Sequence, residues 1–465
     1  MDSDTDSSKS GSDSEADSDT ESVLAVHKIA HQRNVKIKLF VALHSILSLE
    51  GDSFLPTFSL REGNKHRDRC QILQWAAELD DKMFTRQFRL CREDFFYVMA
   101  KIQPDLKKDT TKACNSSGSS ICPQLMLMIT LRILAGASYL DMIHYRVNVD
   151  SVASIVWDTV LSIHKRVDNI KLAANDAECL QLARGWAAIQ LRRWGYHLTA
   201  GTLYAGDGLA IEIAQPSVAD LRERPLSIFR NRKGFWALIA QGFCDCNARF
   251  GVFDIKWPGG TNDIIAYQMT EIYHRAVTDG FPSWATFVLD EAYSSCGGMH
   301  LTPYSLNRLT KAHRTDFALY KKMLAFNNVL SSQRITIERA FGILVRRWGI
   351  LWRPISYSLS KSAKIARVCA MLHNVCVDRW LLNNRSGYEG GHEREHLQLS
   401  DVPDQVGVDD PMPADEEILS RLLNDYVVAV RASSDNSLRM KLTDDIYDAG
   451  IVTHVDTEFH QMAAN

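Results

Sequence analysis

Two apolar runs separated by a five-residue turn constrain this chain more than any other feature. FWALIAQGF (235–243) and RFGVFDIKW (249–257) flank CDCNA, a pattern that predicts a β-hairpin. Further strands are expected over 200–214 and 284–290. A helix over about 262–279 follows PGGTND, with Thr261 or Asn262 placed to cap it. A longer helix, roughly 331–348, is expected to begin at Ser331-Ser332. Three strands, a helix, a strand and then helices make an α/β layer architecture, a mixed sheet covered by helices.

Upstream of the strands, residues 67–180 read as helical. PQLMLMITLRILAG (123–136) opens with Pro and closes on Gly, the usual asymmetry of helix ends. A short helix is expected near 138–146. Another starts with Asp150 as its cap and repeats Val152, Ile155, Val156, Val160, Ile163 and Val167 at helical spacing. Three helices with short connections fit a helix-turn-helix arrangement, although such units are also common as plain packing modules. A connecting helix is expected near 176–192. The divisions read from the sequence are an acidic tail (1–22), a helix-and-loop linker (23–66, with a helix near 34–49), a helical region (67–198), a sheet domain (199–383) and an acidic tail (384–465). Both tails are expected to be mostly disordered, the second with a short helix near 415–430.

Charge narrows the partners. The 465 residues sum to −3 at neutral pH. With −7 on residues 1–22 and −11 on 384–465, the body from 23 to 383 carries +15. A basic body between acidic tails suggests a polyanion partner, and nucleic acid is the commonest. The ten cysteines include no CxxC pair, so reduced intracellular thiols are expected. Cys244-Asp-Cys246 and His373-x-x-Cys376 match no standard zinc framework. The longest apolar run, 125–140, is too short to span a bilayer and contains Arg132; no membrane association is expected.

Three acids carry the chemistry. Asp207 has the strand parity of Leu209, Ile211 and Ile213, so it should point towards their apolar face. A buried carboxylate is costly unless neutralised, paired or bound to a metal. Asp290 ends the apolar run TFVLD, at the sheet edge where clefts form. Glu338 borders the helix stripe of Ile337, Phe341, Leu344, Val345 and Trp348. Two strand-borne Asp and one helix-borne Glu suit Mg²⁺ or Mn²⁺, hard cations that favour carboxylate oxygen. Two such ions can activate an attacking hydroxyl and stabilise the leaving oxygen of a phosphodiester. Each acid also has a plain structural alternative: Asp207 in a turn beside Gly206 and Gly208, Asp290 as a cap, Glu338 paired with Arg334 one turn earlier. Singly, those alternatives are stronger; together, in this order, the metal site is favoured.

The pieces GDGLAIEIAQP, RKG (232–234), PGGTND (258–263), LDEAY (289–293), LTPY (301–304), FNNVLSSQRITIERAFG (326–342) and LHN (372–374) resemble the Harbinger-type (PIF/Harbinger) DDE transposases and the nuclease-like proteins derived from them. The resemblance spans roughly 85–380. It implies an RNase H-like core with the catalytic, metal-holding triad on Asp207, Asp290 and Glu338. It also implies Mg²⁺- or Mn²⁺-dependent cutting of DNA, with joining of the freed 3′ hydroxyl to target DNA. A Myb-like DNA-binding partner, a homo-oligomer and a nuclear location, with a cytoplasmic pool also allowed, complete the expectation. Asp263 matches a further acid of the family, in an auxiliary role. The motif departs around it, with Gly260, Asn262 and Ile264 where Ser, His and Ser are usual. Arg232, Lys233, Arg334 and Arg339 are candidates for phosphate contact. The alternative function is a domesticated, catalytically inactive DNA-binding or scaffolding protein.

Overall fold

The computed structural model describes residues 69–106, 121–194, 199, 201–278, 280–296, 298–385 and 435–448. The expected tail at 1–22, the helix near 34–49 and the helix near 415–430 lie outside these.

The hairpin forms as the turn composition demands. Strands β1 (Thr202–Glu212), β2 (Ala237–Cys244) and β3 (Phe250–Pro258) pair antiparallel. In the turn, the Asp245 carboxylate accepts the amides of Asn247 (2.8 Å) and Arg249 (3.0 Å), while Ala248 takes a left-handed φ of 63°. Strand β4 (Thr286–Val288) and a two-residue β5 (His300–Leu301) add parallel to the other side of β1. The order is β3-β2-β1-β4-β5, a mixed five-stranded sheet flanked by helices, as an RNase H-like core requires. Strand β4 is shorter than the expected 284–290, and β5 was too short to be read from the sequence.

The sheet separates two apolar clusters by strand parity. Ala205, Ile211, Leu238, Ala240 and Val288 face one side, with Ile337, Phe341 and Leu344 of a long helix. Leu203, Phe243, Val252, Phe287 and Leu289 face the other, with Tyr267, Ile272 and Phe281. The first cluster continues without a break into the N-terminal helices, α1 (Cys70–Glu78), α2 (Asp81–Phe88), α3 (Arg92–Leu106), α4 (Pro123–Leu134) and α5 (Val149–Arg166). Helix α5 starts two positions earlier than the sequence suggested: Asn148 caps it, and Asp150 is a first-turn residue. Val152, Ile155, Val156, Val160 and Ile163 are buried along it. Of its exposed residues, Asp150, Ala153, Ser154 and Leu161 carry no positive charge, whereas Lys165 and Arg166 in its last turn do.

Helix α6 (Asp176–Trp194) precedes the sheet. The expected helix 262–279 divides into α7 (Asp263–Gln268), capped by Asn262, and α8 (Glu271–Val277). Thr270 breaks it: fully buried, its hydroxyl donates to Tyr267 O (2.6 Å) and caps α8. After α9 (Leu306–Thr315), helix α10 runs from Phe317 to Arg347, about four turns longer than expected at its start. Its interior polar residues are used laterally. Asn327 brackets the backbone of Tyr304, accepting its N–H (2.7 Å) and donating to its carbonyl (3.0 Å). Asp316 supplies the true cap. Helix α11 (Leu359–Arg385) crosses the edge of β3, and α12 (Asp435–Asp448), within the acidic C-terminal segment, packs on α10. Among the described residues, no helix is long and apolar enough to cross a membrane.

Candidate active site

Register places the two aspartates side by side. Ala205 of β1 pairs with Val288 of β4 in parallel, so Asp207 and Asp290 each lie two residues beyond that pair. Both share the parity of residues in the α10-facing cluster. On β2, Gly242 is the partner of Asp207, and a Cβ there would meet the Phe341 ring of α10 at 2.6 Å. Asp207 therefore sits on the face covered by α10, the helix that carries Glu338. A parallel strand pair delivers two carboxylates and the helix over it delivers the third.

Arg334 ties two of the three together. Its guanidinium lies 3.4 Å from Asp290 Oδ1 and 3.0 Å from Glu338 Oε1, one helical turn away. Asp290 also caps the following turn, accepting the Glu291 amide at 2.7 Å. Asp207 accepts the amide of Gly208 at 2.8 Å and makes no ion pair among the described residues. The local contacts foreseen for Asp290 and Glu338 are thus present, whereas Asp207 lies within β1 rather than in a turn. They do not discharge Asp207. Burial pushes its carboxyl up to about 6, against the pull of the Gly208 amide and Arg334, with Asp290 and Asp263 adding like charge. This is the donor chemistry of a hard-cation site, all carboxylate oxygen with one group left short of positive charge. Among the described residues, however, no three acid, histidine or cysteine side chains are arranged to hold an ion as they stand.

Asp263 lies across the sheet from this trio. A Cβ on Gly208, whose parity is opposite to that of Asp207, would fall 2.5 Å from Asp263 Oδ1. Burial also raises this carboxyl, opposed by the exposed Arg232 nearby. Beneath it, Gln241 is fully buried, donates to Asp263 O (3.4 Å) and accepts the Tyr293 hydroxyl (3.0 Å). Burial, then Asp207 and Asp263, drive the Tyr293 phenol upward, so it stays a neutral donor. Gln241 was missed in the sequence, though a lone amide in the apolar run FWALIAQGF was the available signal.

Of the four cations named from the sequence, Arg232 and Lys233 are exposed in the turn before β2. Arg334 is spent on the carboxylates. Arg339 is not brought to them. Its Nε is buried without a hydrogen-bond partner, near Cys244 and Cys246, and burial lowers its pKa. The LHN motif is also structural. Asn374 accepts the N–H of Phe250 (2.8 Å) and donates to its carbonyl (2.8 Å), and buried His373 meets Ala248 O at 2.8 Å. Together they strap α11 to the outer edge of the hairpin. A cleft of about 930 Å³ runs along that same edge, lined by Asp254, Lys256, Lys364 and Arg367, and does not include the three carboxylates.

Residues 206–374 match the family model described as DDE superfamily endonuclease. Over 324 residues the chain is 20% identical to a rat protein named "Putative nuclease HARBI1", covering 68% of this chain and 82% of that one. The human protein of the same name is 19% identical over 353 residues, 73% of this chain and 91% of its own. No solved structure matches significantly. These matches agree with the Harbinger-type resemblance carried by the motifs. The acids at the tips of two neighbouring parallel strands and on the helix above them fall inside the segment, residues 206–374, that the DDE endonuclease family model matches.

Proposed function

We propose that this chain is a divalent-metal-dependent DNA endonuclease of transposase type, with Asp207, Asp290 and Glu338 as its metal-holding carboxylates. One observation supports the reading: β1, the end of β4 and α10 carry three acids on the same sheet face, and Arg334 bridges Asp290 and Glu338. Mg²⁺ or Mn²⁺, when bound, would supply Lewis-acid activation of the nucleophile and stabilisation of the leaving oxygen. The protein's part is to fix the oxygens. The sheet sets the spacing of the aspartates, and the packing of Ile337 and Phe341 sets the height of Glu338 above them. Arg232, exposed near Asp263, and the exposed Lys233 next to it in sequence would meet phosphate. DNA as substrate, a nuclear location, a Myb-like partner and a homo-oligomer belong to the same proposal.

The test is nicking of supercoiled plasmid by purified protein with Mn²⁺, Mg²⁺ or EDTA, beside Asp290→Asn. The expected result is metal-dependent nicking that falls by about a hundredfold or more in the variant, the scale of losing one preorganised charge contact. A second reading, an inactive DNA-binding descendant, is favoured by one fact: no three ligands converge among the described residues. Plasmid binding with neither nicking nor Mn²⁺ uptake would establish that descendant.

A further inference from the structure

Arg334 has a place in the site that phosphate contact does not describe. Its side chain is only about a quarter exposed (26%), and its two terminal nitrogens reach different acids, Asp290 Oδ1 and Glu338 Oε1. Those oxygens belong to two of the three groups assigned to the metal. A cation entering between β4 and α10 must take from the guanidinium the charge that now neutralises them. The two positive groups cannot both sit against the same oxygens at ordinary separations without strong repulsion.

We infer that Arg334 is an internal counter-ion of the carboxylate site, which competes with divalent metal for Asp290 and Glu338 and is turned outward when metal binds. This rests on the metal-site reading above. The sequence prepares it: Arg334 and Glu338 are one helical turn apart, so a rotamer change moves the guanidinium along α10 without disturbing the helix. The neighbours are not obstructive, since the side chain of Glu338 is 47% exposed and that of Asp290 43% exposed. It also accounts for why the three acids are not gathered as a ready-made cage: one cation already spans two of them, and Asp207, the third, stands without an ion pair among the described residues. Once displaced, the guanidinium is free to meet a phosphate oxygen of the strand being cut, a bidentate contact that lysine cannot copy.

The experiment measures Mn²⁺ binding to the full chain by calorimetry, without DNA, for the wild type, Arg334→Gln, Arg334→Lys and Asp207→Asn. Thermal melts check that each variant is folded. Arg334→Gln should bind Mn²⁺ roughly fivefold tighter, the size expected for two half-exposed ion pairs removed from the competing state. Arg334→Lys, which keeps the charge but loses the fork, should stay within about twofold of the wild type. The same Arg334→Gln protein should bind a short DNA duplex more weakly in Mn²⁺. Equal or weaker Mn²⁺ binding in Arg334→Gln, with Asp207→Asn still impaired, overturns the counter-ion role and leaves the metal site standing. No Mn²⁺ binding by any of the four proteins overturns both.

Discussion

His373 shows how one buried side chain couples the fold to pH. Burial pushes its imidazole down to about 4, and the nearby Arg347 and Arg249 work in the same direction. In the unfolded chain it titrates at about 6.5. Between those values the unfolded state binds the extra proton, so this residue's share of stability is complete above about pH 6.5 and is lost as pH falls towards 4. Asp245, in the adjoining turn, is raised to about 6 by burial and slopes the other way, so the wild-type curve alone is ambiguous. The comparison with His373→Gln removes that ambiguity. The variant should gain about 2 kcal/mol on the wild type between about pH 7 and about pH 4.5, read from urea unfolding at each pH. A difference that stays constant across that range would mean His373 takes up its proton as readily in the folded protein as in the unfolded one. At this scale the sequence was legible where parity decides. Asp207 faces the apolar side with Ala205 and Ile211, as alternation required. It was opaque for Arg339 and Asp263, because which face a helix or loop presents depends on what packs against it.

Among the elements, α11 and β3 depend on one another. β3 is an edge strand, and the outward N–H and C=O of Phe250 need partners. Asn374 satisfies both from α11, and Arg367 donates to Phe253 O at 2.6 Å further along. Asn374→Ala would leave two buried backbone groups unpaired. It should cost about 2–4 kcal/mol in urea unfolding, whereas changes at the exposed Lys256 should cost less than about 0.5 kcal/mol. The LHN text was visible as a resemblance, but its work was not: an amide serves equally well in a site or in a strap, and only the neighbouring strand distinguishes them. The start of α10 was misplaced for a related reason. Asn327 and Ser332 look like punctuation in a string, but in the fold their polar atoms bond to Tyr304 and Val329, and the helix passes through them. The split at Thr270 followed the same rule in reverse, a buried hydroxyl diverting the backbone from one long helix.

Over the whole molecule, the unexpected member is α12. It returns from the acidic segment to the first half of α10, where Leu442 and Ile446 are buried, at 3% and 0% exposure. Thr443 meets the Tyr304 hydroxyl at 2.9 Å, Lys322 pairs with Asp444 at 2.6 Å, and Arg439 lies over the Tyr304 ring at 3.9 Å. If α12 belongs to the cooperative unit, Leu442→Ala with Ile446→Ala should lower stability by roughly 4–7 kcal/mol. Met440→Ala, at a 40% exposed position, should change it by less than about 0.5 kcal/mol, both read from urea midpoints. An unchanged midpoint in the double variant would make α12 a separately melting segment. The sequence by itself determined the layer order, the hairpin, the parity of Asp207 and a motif order that resembles the DDE superfamily of endonucleases, because period-two and period-3.6 patterns are local properties of a chain. Tertiary structure alone decided that Asp290 stands beside Asp207, that Arg334 joins Asp290 to Glu338, and that α12 closes over α10. Those contacts link residues tens to more than a hundred positions apart or choose among rotamers, and a chain's local pattern carries no term for what it will meet at such distances.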